Sequence, residues 1–283
     1  MNVFITGAAG GLGRAMAIEC ARRGCSLFLT DINADGLIQI KRGLERQFDI
    51  NVTARPCDLT DSSSVDRLLA VTDQFGIRFD MLLNIAGIDV EGGFLTLERE
   101  QAAAIVTLND AATLRMTHAI LHRRRPGRHF SLIFVSSLAS MFPMPLKATY
   151  AASKRFLLDF ATALQRELKD QRVHVLTLCP GGMVTNDDVV EAIAAQGVWG
   201  RLTANPLETV ARKTIDRALS QSGCYVPGIS NRLLAAIGHM VPRSWIAALI
   251  YRRWHGAQQK WMTVKPGKST VSDRTPAFCR VEH

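Results

Sequence analysis

Cysteine is sparse in this sequence, and its spacing forms no metal or redox motif. The six cysteines are scattered as single residues, with no CxxC pair and no histidine at a metal-ligand spacing. Scattered single cysteines in a chain of this size are typical of free, mostly buried thiols in a reducing compartment. We therefore expect no metal site and no structural disulfide, and we expect a cytoplasmic location.

Long hydrophobic runs are absent as well. No uninterrupted apolar segment reaches the roughly 18 residues that a membrane-spanning helix needs. Residues 2–5 run straight into Thr6-Gly7, which leaves no room for a signal peptide, so we expect a strand to begin at once. No internal repeat and no linker rich in proline, glycine or serine divides residues 1–230, so we expect one domain there.

Acidic residues are scarce toward the carboxyl terminus. Residues 231–283 carry nine Lys and Arg against two acidic residues, a net charge of +7. Residues 1–230 carry 25 against 23, a net charge of +2, so the total of +9 reflects one end of the chain. That basic end has no recognised nucleic-acid motif and coincides with an apolar helical pattern, so we do not expect nucleic-acid binding.

Short apolar runs alternate with longer amphipathic segments through residues 1–230. Such runs are typical of strands buried on both faces of a parallel sheet. The alternation predicts an α/β fold, a Rossmann-type doubly wound parallel sheet with helices on both faces and ligands at the carboxyl ends of the strands. We expect strands at 2–6, 26–31, 51–56, 81–84, 131–136, 173–179 and 224–226, and helices at 12–24, 34–48, 61–75, 98–122, 149–170 and 206–221. Asp61 and Asn205 are expected to cap two of these helices.

A glycine-rich turn follows the first expected strand, with the sequence TGAAGGLG at residues 6–13. Gly7, Gly11 and Gly13 allow a tight turn, close approach of the backbone to phosphate, and close packing of helix on strand. The helix N-terminus then offers unpaired N–H groups to a pyrophosphate. Asp31 ends the second strand, where a carboxylate can accept hydrogen bonds from the adenosine ribose. A flexible loop and a helix-capping aspartate are the alternatives, and the combined spacing favours a dinucleotide site.

Three further motifs converge on the same edge of the expected sheet. Asn84-Ile85-Ala86-Gly87 ends the fourth strand, and Ser136-Ser137 ends the fifth. Tyr150 and Lys154 then lie four residues apart near the start of a long helix, so they share one face of it. A YxxxK pair alone is common on amphipathic helices, but its combination with Ser137 and the glycine turn indicates a catalytic site.

Together these motifs resemble the short-chain dehydrogenase/reductase family over residues 1–230. The resemblance rests on residues 6–13 and 84–87, on Ser137, Tyr150 and Lys154, and on the Pro180-Gly181 turn with Thr185. It implies an NAD(H)-dependent oxidoreductase that interconverts an alcohol and a ketone or aldehyde, with Tyr150 as general acid and base. It also implies a homodimer or homotetramer.

The resemblance implies a role for each matching residue. Catalytic roles fall to Ser137, Tyr150, Lys154 and Asn109, the last matching a helix asparagine that supports a water-linked proton path. Asp58 and Leu59 would flank the adenine, and Thr185 would meet the nicotinamide carboxamide. The full set of implied cofactor contacts is Thr6, Gly7, Gly11, Leu12, Gly13, Asp31, Asp58, Leu59, Asn84, Ala86, Gly87, Tyr150, Lys154, Pro180, Gly181 and Thr185.

Elementary electrostatics supports the roles of Tyr150 and Lys154. A free tyrosine has a pKa near ~10, which makes it a poor base at neutral pH. A lysine ammonium at about 4 Å contributes on the order of 4 kcal/mol at an effective dielectric near 20. We therefore expect Lys154 to lower the pKa of Tyr150 toward ~7, where acid–base catalysis is most effective.

The cofactor is expected to be NAD rather than NADP. The 2′-phosphate of NADP would bring its negative charge close to the Asp31 carboxylate, which repels it. Position 32, where an arginine could hold that phosphate, is Ile32, and Arg14 is the nearby cation that could compensate.

The remaining segments bear on the substrate. Residues 186–204, expected to form a lid, are rich in apolar side chains, which fits an apolar substrate or simple packing on the body. Residues 231–262 carry an apolar pattern at helical spacing beside arginines, interrupted at Pro242, and are expected to form a helical extension of two short helices. That extension could be a pocket flap, a dimer contact or a peripheral membrane contact. Residues 263–283 are expected to form a mobile tail. A catalytically idle nucleotide-binding regulator remains the alternative function, and the intact Ser137, Tyr150 and Lys154 set disfavours it.

Overall fold

The computed structural model describes residues 1–183 and 205–264. Strands and helices alternate along them as the sequence pattern predicts. The strands are β1 (Asn2–Thr6), β2 (Ser26–Asp31), β3 (Val52–Pro56), β4 (Met81–Asn84), β5 (Phe130–Val135), β6 (Val173–Leu178) and β7 (Gly223–Tyr225). The α-helices are α1 (Gly11–Arg22), α2 (Ala34–Gln47), α3 (Ser62–Gln74), α4 (Arg99–Val106), α5 (Thr113–Leu121), α6 (Ala148–Glu167), α7 (Leu207–Ser220), α8 (Ile229–Met240) and α9 (Arg243–Val264).

The seven strands form one parallel sheet in the order β3-β2-β1-β4-β5-β6-β7. The chain winds outward from β1 in one direction through β3 and in the other from β4 through β7. The strand order therefore reverses between β1 and β4, where a crevice opens at the carboxyl ends of the strands. This confirms the Rossmann-type doubly wound fold.

Alternating side chains of the strands bury the two faces of the sheet. On β1, Val3 and Ile5 face a cluster with helices α1, α2 and α7. Phe4 points the other way, into a cluster that includes side chains of α3, α5 and α6, where its ring stacks on Phe28 at 4.9 Å between centroids. Burial on both faces explains why these strands appear in the sequence as continuous apolar runs.

The single helix expected at 98–122 is instead two α-helices joined by a π-helical turn, Thr107–Ala112. Such turns insert an extra residue into the helix and are frequent at functional sites. This one carries Asn109, whose side chain bonds to the backbone of Ile88 rather than lying on a regular helix face.

One of the two expected helix caps is confirmed. The Asp61 carboxylate accepts hydrogen bonds from the backbone N–H groups of Ser63 and Ser64 at 3.0 and 3.1 Å. Asn205 is not the cap of α7, because its backbone is part of a parallel bridge to Met183 and its N–H donates to the Gly182 carbonyl at 2.9 Å. Pro206 therefore occupies the N-cap position, without a side-chain cap.

The helical extension is longer than its sequence pattern predicts. Helix α8 begins at Ile229, and α9 runs for 22 residues to Val264 rather than forming a short helix. Within the described parts of the chain, no helix combines the length and apolar character needed to cross a membrane. The whole of the lid expected at residues 186–204 lies outside the described residues, and so does the tail expected at residues 263–283 from residue 265 onward.

Candidate active site

The glycine turn after β1 has a shape that only glycine allows. Gly7 has a φ of +66°, and a Cβ there would lie 2.7 Å from the backbone nitrogen of Ala86. A Cβ on Gly13 would lie 2.0 Å from the Gly7 carbonyl oxygen. Both contacts are far below van der Waals distance, so the absence of a side chain at Gly7 lets the segment after β4 approach the turn, and its absence at Gly13 lets helix α1 pack directly on the turn. This is the close backbone packing that the sequence predicts.

The N-terminus of α1 and the end of β2 meet at this turn. Gly10 occupies the N-cap position of α1, so no side chain caps the helix. The Asp31 carboxylate accepts hydrogen bonds from the backbone N–H of Ala9 at 2.9 Å and from that of Asn33 at 3.0 Å. Arg14 donates through Nε to the Ala9 carbonyl at 3.0 Å, so the side chains of Asp31 and Arg14 are both held by the backbone of Ala9.

Thr6 joins the carboxyl ends of β1 and β4. Its hydroxyl accepts hydrogen bonds from the N–H groups of Ile85 and Ala86 at 3.1 and 3.2 Å. Ala86 is thereby held against Gly7, and the glycine turn and the Asn84–Gly87 segment form one continuous surface. Leu12 is buried in the core beneath the turn, so its backbone rather than its side chain faces the crevice.

The side chains of three predicted cofactor contacts are held by local protein contacts. The Asp58 carboxylate closes a turn by accepting from the N–H and hydroxyl of Thr60 at 2.8 and 2.6 Å. The Leu59 side chain is buried in the core. Asn84 is also buried, with its amide nitrogen donating to the Thr117 hydroxyl at 2.9 Å, while its Oδ1 has no hydrogen-bond partner. Any contact from Leu59 to the adenine must therefore come from its backbone.

The proton-transfer residues lie together next to this surface. The Ser137 side chain lies close enough to the Tyr150 phenol to lower its pKa, and the Lys154 ammonium lies 5.7 Å from the centre of the tyrosine ring. The ammonium donates to the Val135 carbonyl at 3.0 Å. The Ser136 hydroxyl donates to the Lys154 carbonyl at 2.7 Å, which fixes helix α6 against the end of β5. The predicted convergence of the strand-end serine with the YxxxK pair is thus present.

Asn109 and Gly87 complete the arrangement around Lys154. The Asn109 amide donates to the Ile88 carbonyl at 3.0 Å and to the Ser153 hydroxyl at 3.1 Å. A Cβ on Gly87 would lie 2.9 Å from the Asn109 Oδ1 and 3.3 Å from the Lys154 Nζ. A side chain at position 87 would therefore press on both groups, which explains the glycine at the end of this motif.

The pKa values of these side chains differ from the sequence expectation. Burial raises the pKa of Tyr150 to about 12, and the Asp89 carboxylate adds to this, while the Ser137 side chain and the Lys147 charge oppose it. Burial lowers the pKa of Lys154 to about 8, against the attraction of Asp110 and Asp89. The expectation that Lys154 lowers the pKa of Tyr150 to ~7 is wrong for the protein without a bound cofactor. The desolvation of the phenol raises its pKa by more than the Lys154 ammonium, which donates to the Val135 carbonyl, can lower it.

The sequence patterns do not predict four charged residues near Tyr150 and Lys154, which form one ion-pair cluster and one buried carboxylate. Lys147 forms ion pairs with Asp89, at 2.5 Å, and with Glu91, and its ammonium lies 5.5 Å from the centre of the Tyr150 ring. Asp110 is buried in the π-helical turn with its Oδ1 unpartnered, and burial raises its pKa to about 6. The sequence signals were their positions: Asp89 follows Gly87 closely, Lys147 precedes Tyr150, and Asp110 follows Asn109.

A cavity of about 330 Å³ is lined in part by Lys147, Ala148 and Thr149, the three residues that precede Tyr150 in the chain. One wall is the loop after β4, another is the segment before α6, and Tyr251 of α9 contributes a third. The two segments are joined by a hydrogen bond from the Gly92 N–H to the Leu146 carbonyl at 2.8 Å, and Leu146 has a φ of +66°. The lining is mainly apolar, with Val90, Phe94, Leu95, Leu97 and Leu146 beside the charged Lys147.

The first residues after β6 lie next to the segment that follows β5. The Pro180 carbonyl accepts from the Leu138 N–H at 2.8 Å, which ties the Pro180-Gly181 turn to the residue that follows Ser137. Thr185 lies outside the described residues, so its predicted contact with the nicotinamide is not described by the structure. No group of three or more potential metal ligands occurs among the residues that the structure describes.

The cradle that the described residues form fits a dinucleotide. The uncapped N-terminus of α1 suits a pyrophosphate, and the glycine contacts at positions 7 and 13 leave the backbone open to it. The Asp31 carboxylate stands at the next strand end, where the adenosine ribose would lie. Tyr150 and Lys154 lie across the crevice, on the side of β4 and β5.

Comparison with known proteins agrees with this geometry. The family model described as short chain dehydrogenase matches residues 1–193. Human 15-hydroxyprostaglandin dehydrogenase (NAD(+)) is 30% identical over 202 residues, which cover 70% of this chain and 73% of that protein. Bovine 3-ketodihydrosphingosine reductase is 30% identical over 184 residues, 63% of this chain, although the match spans only 55% of the bovine protein.

The fold is also that of solved reductases. The structure of L-sorbose reductase from Gluconobacter frateurii, determined with NADPH and L-sorbose, superposes with a TM-score of 0.71. The match covers 80% of this chain and 94% of that chain at 22% sequence identity, so it bears on the fold alone. The family model, the relatives and the assembled site agree, and the chain belongs to the short-chain dehydrogenase family of oxidoreductases that act on CH–OH groups.

Proposed function

We propose that this protein is an NAD(H)-dependent oxidoreductase that interconverts a lipophilic alcohol and its ketone or aldehyde. The observation that carries the proposal is the joining of Ser137, Tyr150 and Lys154 beside a glycine cradle at one crevice. The bound nicotinamide would supply or accept the hydride. The protein's task is to hold the substrate oxygen and move its proton.

Tyr150 and Ser137 would act on the substrate oxygen. The raised pKa keeps the Tyr150 phenol protonated at neutral pH, so it can give its proton to a carbonyl oxygen during reduction. The Ser137 hydroxyl would donate a hydrogen bond to the same oxygen as negative charge develops on it. Because the resting phenol carries its proton, these side chains suit reduction directly, and oxidation needs that proton to leave first.

Lys154 and Asn109 would provide the route for that proton. The pKa of Lys154 is lowered to about 8, so its ammonium can release a proton near physiological pH. Asn109 holds the backbone of Ile88 and the hydroxyl of Ser153, the residue before Lys154. This arrangement keeps a polar path beside the lysine in an otherwise buried region, and it supports a proton relay toward solvent.

An NAD preference is part of the proposal, because the family includes proteins that use either cofactor. Asp31 presents its carboxylate at the ribose position, and a 2′-phosphate would meet its negative charge. Ile32 is exposed and offers no cation, while the Arg14 Nε is engaged by the Ala9 carbonyl. These contacts support NAD.

The cofactor proposal is tested by Asp31→Ala. The wild type should have a kcat/KM for NAD at least about tenfold above that for NADP, and the variant should lose or reverse this preference. Asp35→Ala, an exposed carboxylate four residues further on, is the matched control and should leave the ratio unchanged. Equal kcat/KM values in the wild type would refute the NAD assignment.

The apolar cavity supports a lipophilic substrate. Its lining side chains are mainly aliphatic or aromatic, and its single lysine is already held by two carboxylates, so a charged substrate group finds little free counter-charge there. Two relatives are named for ketodihydrosphingosine and hydroxyprostaglandin, both molecules with long hydrocarbon chains. The apolar lid expected at residues 186–204 fits the same class.

The decisive experiment is a spectrophotometric screen of the purified protein. NAD reduction with steroids, long-chain alcohols and hydroxyacyl thioesters, and NADH oxidation with the matching carbonyls, should reveal turnover that falls as the apolar part shortens. Turnover confined to small polar alcohols would overturn the lipophilic assignment. Absence of turnover with both NAD and NADP across the panel would favour the idle regulator instead.

The assembly and location remain parts of the proposal. Members of the family are commonly oligomeric, and we propose a homodimer or homotetramer. The described cysteines, Cys20, Cys25, Cys57, Cys179 and Cys224, are free thiols, which supports a reducing, cytoplasmic location.

A further inference from the structure

Helix α8 exposes a continuous apolar stripe. Ile229, Leu233, Ile237 and Met240 are spaced four, four and three residues apart, which places them on one helix face. Ile229 and Met240, at the two ends, are 82% and 85% exposed. An exposed run of four large apolar side chains on one helix is unusual for a surface in contact only with water.

The stripe belongs to a helix that is packed on the body. The opposite face of α8 buries Ala235 in a cluster with Met141 and Cys179. A Cβ on Gly238 would lie 2.0 Å from the Phe142 ring, so the helix packs closely against the segment that follows Ser137. Asn231 is buried, and its amide donates to the Pro227 carbonyl at 2.8 Å. The apolar side is therefore held outward by contacts on the inward side.

Helix α9 continues the same kind of surface. Trp245 and Leu249 are four residues apart and are 71% and 70% exposed. The stripe of α8, together with these two side chains, forms what we call the α8–α9 surface. Amphipathic helices of this composition, with tryptophan among the apolar residues, are typical of segments that lie in a membrane interface.

The positive charge of the chain around the α8–α9 surface favours an anionic lipid surface over a second copy of the protein as its partner. The sequence contains no Asp or Glu from residue 217 to residue 272, and eight Lys and Arg in the same interval. A second copy of the chain docked on the α8–α9 surface would bring two basic, acid-free regions together, which is repulsive. An anionic lipid surface offers hydrocarbon to the stripe and counter-charge to the arginines, so it satisfies both features.

We propose that the α8–α9 surface docks this protein on an anionic membrane, with α8 and α9 lying in the interface and not crossing it. Arg232, Arg243 and Arg252 would face the lipid headgroups while the apolar stripe enters the acyl boundary. Tyr251 lies on α9 and lines the same cavity as Lys147 and Thr149, so docking brings that cavity to the membrane. The benefit to catalysis rests on the proposed function, because only a lipophilic substrate would be concentrated there.

Flotation of the full-length protein tests the docking without any substrate. At low salt it should float with vesicles of phosphatidylcholine and phosphatidylserine and stay unbound with phosphatidylcholine alone. Binding should fall as salt rises, because the screening length drops from about 10 Å at 0.1 M to about 3 Å at 1 M. Failure to float with anionic vesicles at low salt, or equal binding to neutral ones, would overturn the proposal.

Matched variants distinguish binding through the α8–α9 surface from non-specific binding of the protein to vesicles. Leu233→Ser with Trp245→Ser, or Arg243→Glu with Arg252→Glu, should each weaken binding by about tenfold or more. Ile38→Ser and Arg42→Glu make the same kinds of change at exposed positions of α2 and should leave binding intact. Equal loss in the α2 variants, or a dimer that the Leu233 and Trp245 changes dissolve without vesicle binding, would contradict the proposal.

Enzyme assays then show which of the two proposals fails if one does. With docking confirmed, anionic vesicles should raise kcat/KM for a long-chain alcohol and leave that for a small alcohol unchanged. Flotation without turnover on any alcohol would refute the proposed function and leave the docking intact. Turnover in solution without flotation would refute the membrane docking and leave the proposed function intact.

Discussion

At the scale of single residues, the hydroxyl of Tyr150 is the group on which the chemistry depends. Tyr150→Phe removes that hydroxyl while keeping the ring near Lys154. Turnover should fall by about two orders of magnitude or more, whereas the melting temperature and NADH binding should change little. Steady-state kinetics, thermal unfolding and NADH titration measure the three quantities.

Tyr225 provides the control for this substitution. It is a buried tyrosine on β7 whose ring lies 4.6 Å from the Arg217 guanidinium, away from the proposed proton path. Tyr225→Phe should keep turnover within about twofold of the wild type, because it removes a hydroxyl that no step uses. Near-normal turnover in Tyr150→Phe would show that the assigned proton donor is wrong.

The raised pKa of the buried Asp110 carboxyl leads us to expect that the free energy of unfolding depends on pH. Burial raises its pKa to about 6 from an ordinary value of 3.8, so the folded protein binds that proton more tightly than the unfolded chain does. Its contribution to stability is therefore full below about pH 4 and is lost as the pH rises through about 6. Asp110→Asn, which resembles the protonated form, should raise the free energy of unfolding at pH 8 by on the order of 2 kcal/mol.

Urea unfolding at pH 4 and pH 8 tests this expectation. The Asp110→Asn variant and the wild type should agree at the lower pH and diverge at the higher one. Asp66→Asn, an exposed carboxylate on α3, should give no such divergence. Because Asp110 also helps to keep Lys154 charged, the variant's pH–rate profile should shift toward lower pH. A variant less stable than the wild type at pH 8 would show that the carboxylate makes a favourable contact there.

At the scale of elements, the contact of α1 with the glycine turn is the most restrictive. A methyl group on Gly13 has no room, since the Gly7 carbonyl oxygen lies 2.0 Å from its ideal position. Gly13→Ala should therefore displace α1 and abolish cofactor binding. It should also lower the free energy of unfolding by about 3 kcal/mol, the upper end of the usual cost of overpacking. Thermal unfolding and NADH fluorescence report the two effects.

Gly43 is the matched control on another helix. It lies within α2, where an added Cβ meets nothing within 4 Å. Gly43→Ala should raise stability by about 0.5–1 kcal/mol, since alanine loses less conformational entropy in a helix, and should leave cofactor binding unchanged. A Gly13→Ala variant that keeps full NADH affinity would show that the turn does not hold the pyrophosphate.

At the scale of the whole molecule, α9 should be separable from the catalytic body. Helix α8 is anchored by Ala235 and Gly238, whereas Trp245 and Leu249 of α9 are exposed. A chain ending at Met240 should therefore fold, keep NADH binding, and lose kcat/KM for long apolar alcohols more than for small ones. The reason is that Tyr251 is removed from the cavity wall.

The outcome is checked by comparing kcat/KM for short and long substrates in both chains. The point variant Tyr251→Ala should reproduce the direction of the change if the cavity wall is its cause. An equal loss on all substrates would indicate that α9 supports the body of the protein. Unchanged activity on long substrates would show that it contributes nothing to substrate binding.

Much of the fold follows from local patterns in the sequence. The bounds of β1, β2 and β4 coincide with those expected from their apolar runs, because each strand is buried on both faces and its pattern is continuous. The helix expected at 34–48 is one residue longer than α2 at its C-terminus, and the helix expected at 61–75 is one residue longer than α3 at each end, which are differences of the size usual between ways of assigning helix ends. The break in the helix around Asn109 was not visible, because it depends on bonds to Ile88 from another segment.

By itself, the sequence determined the glycine turn, the doubly wound parallel class of sheet through its βα alternation, and the spacing of Tyr150 and Lys154, since these depend on short-range sterics and periodicity. Only the tertiary structure determined the pKa values of the site residues and which charged side chains lie near them. The pKa values of Tyr150, Lys154 and Asp110 arise from burial among residues far apart in the chain, and so does the Lys147 cluster. Desolvation and long-range contacts leave no local sequence pattern, so the pKa values of the site residues follow only from the folded structure.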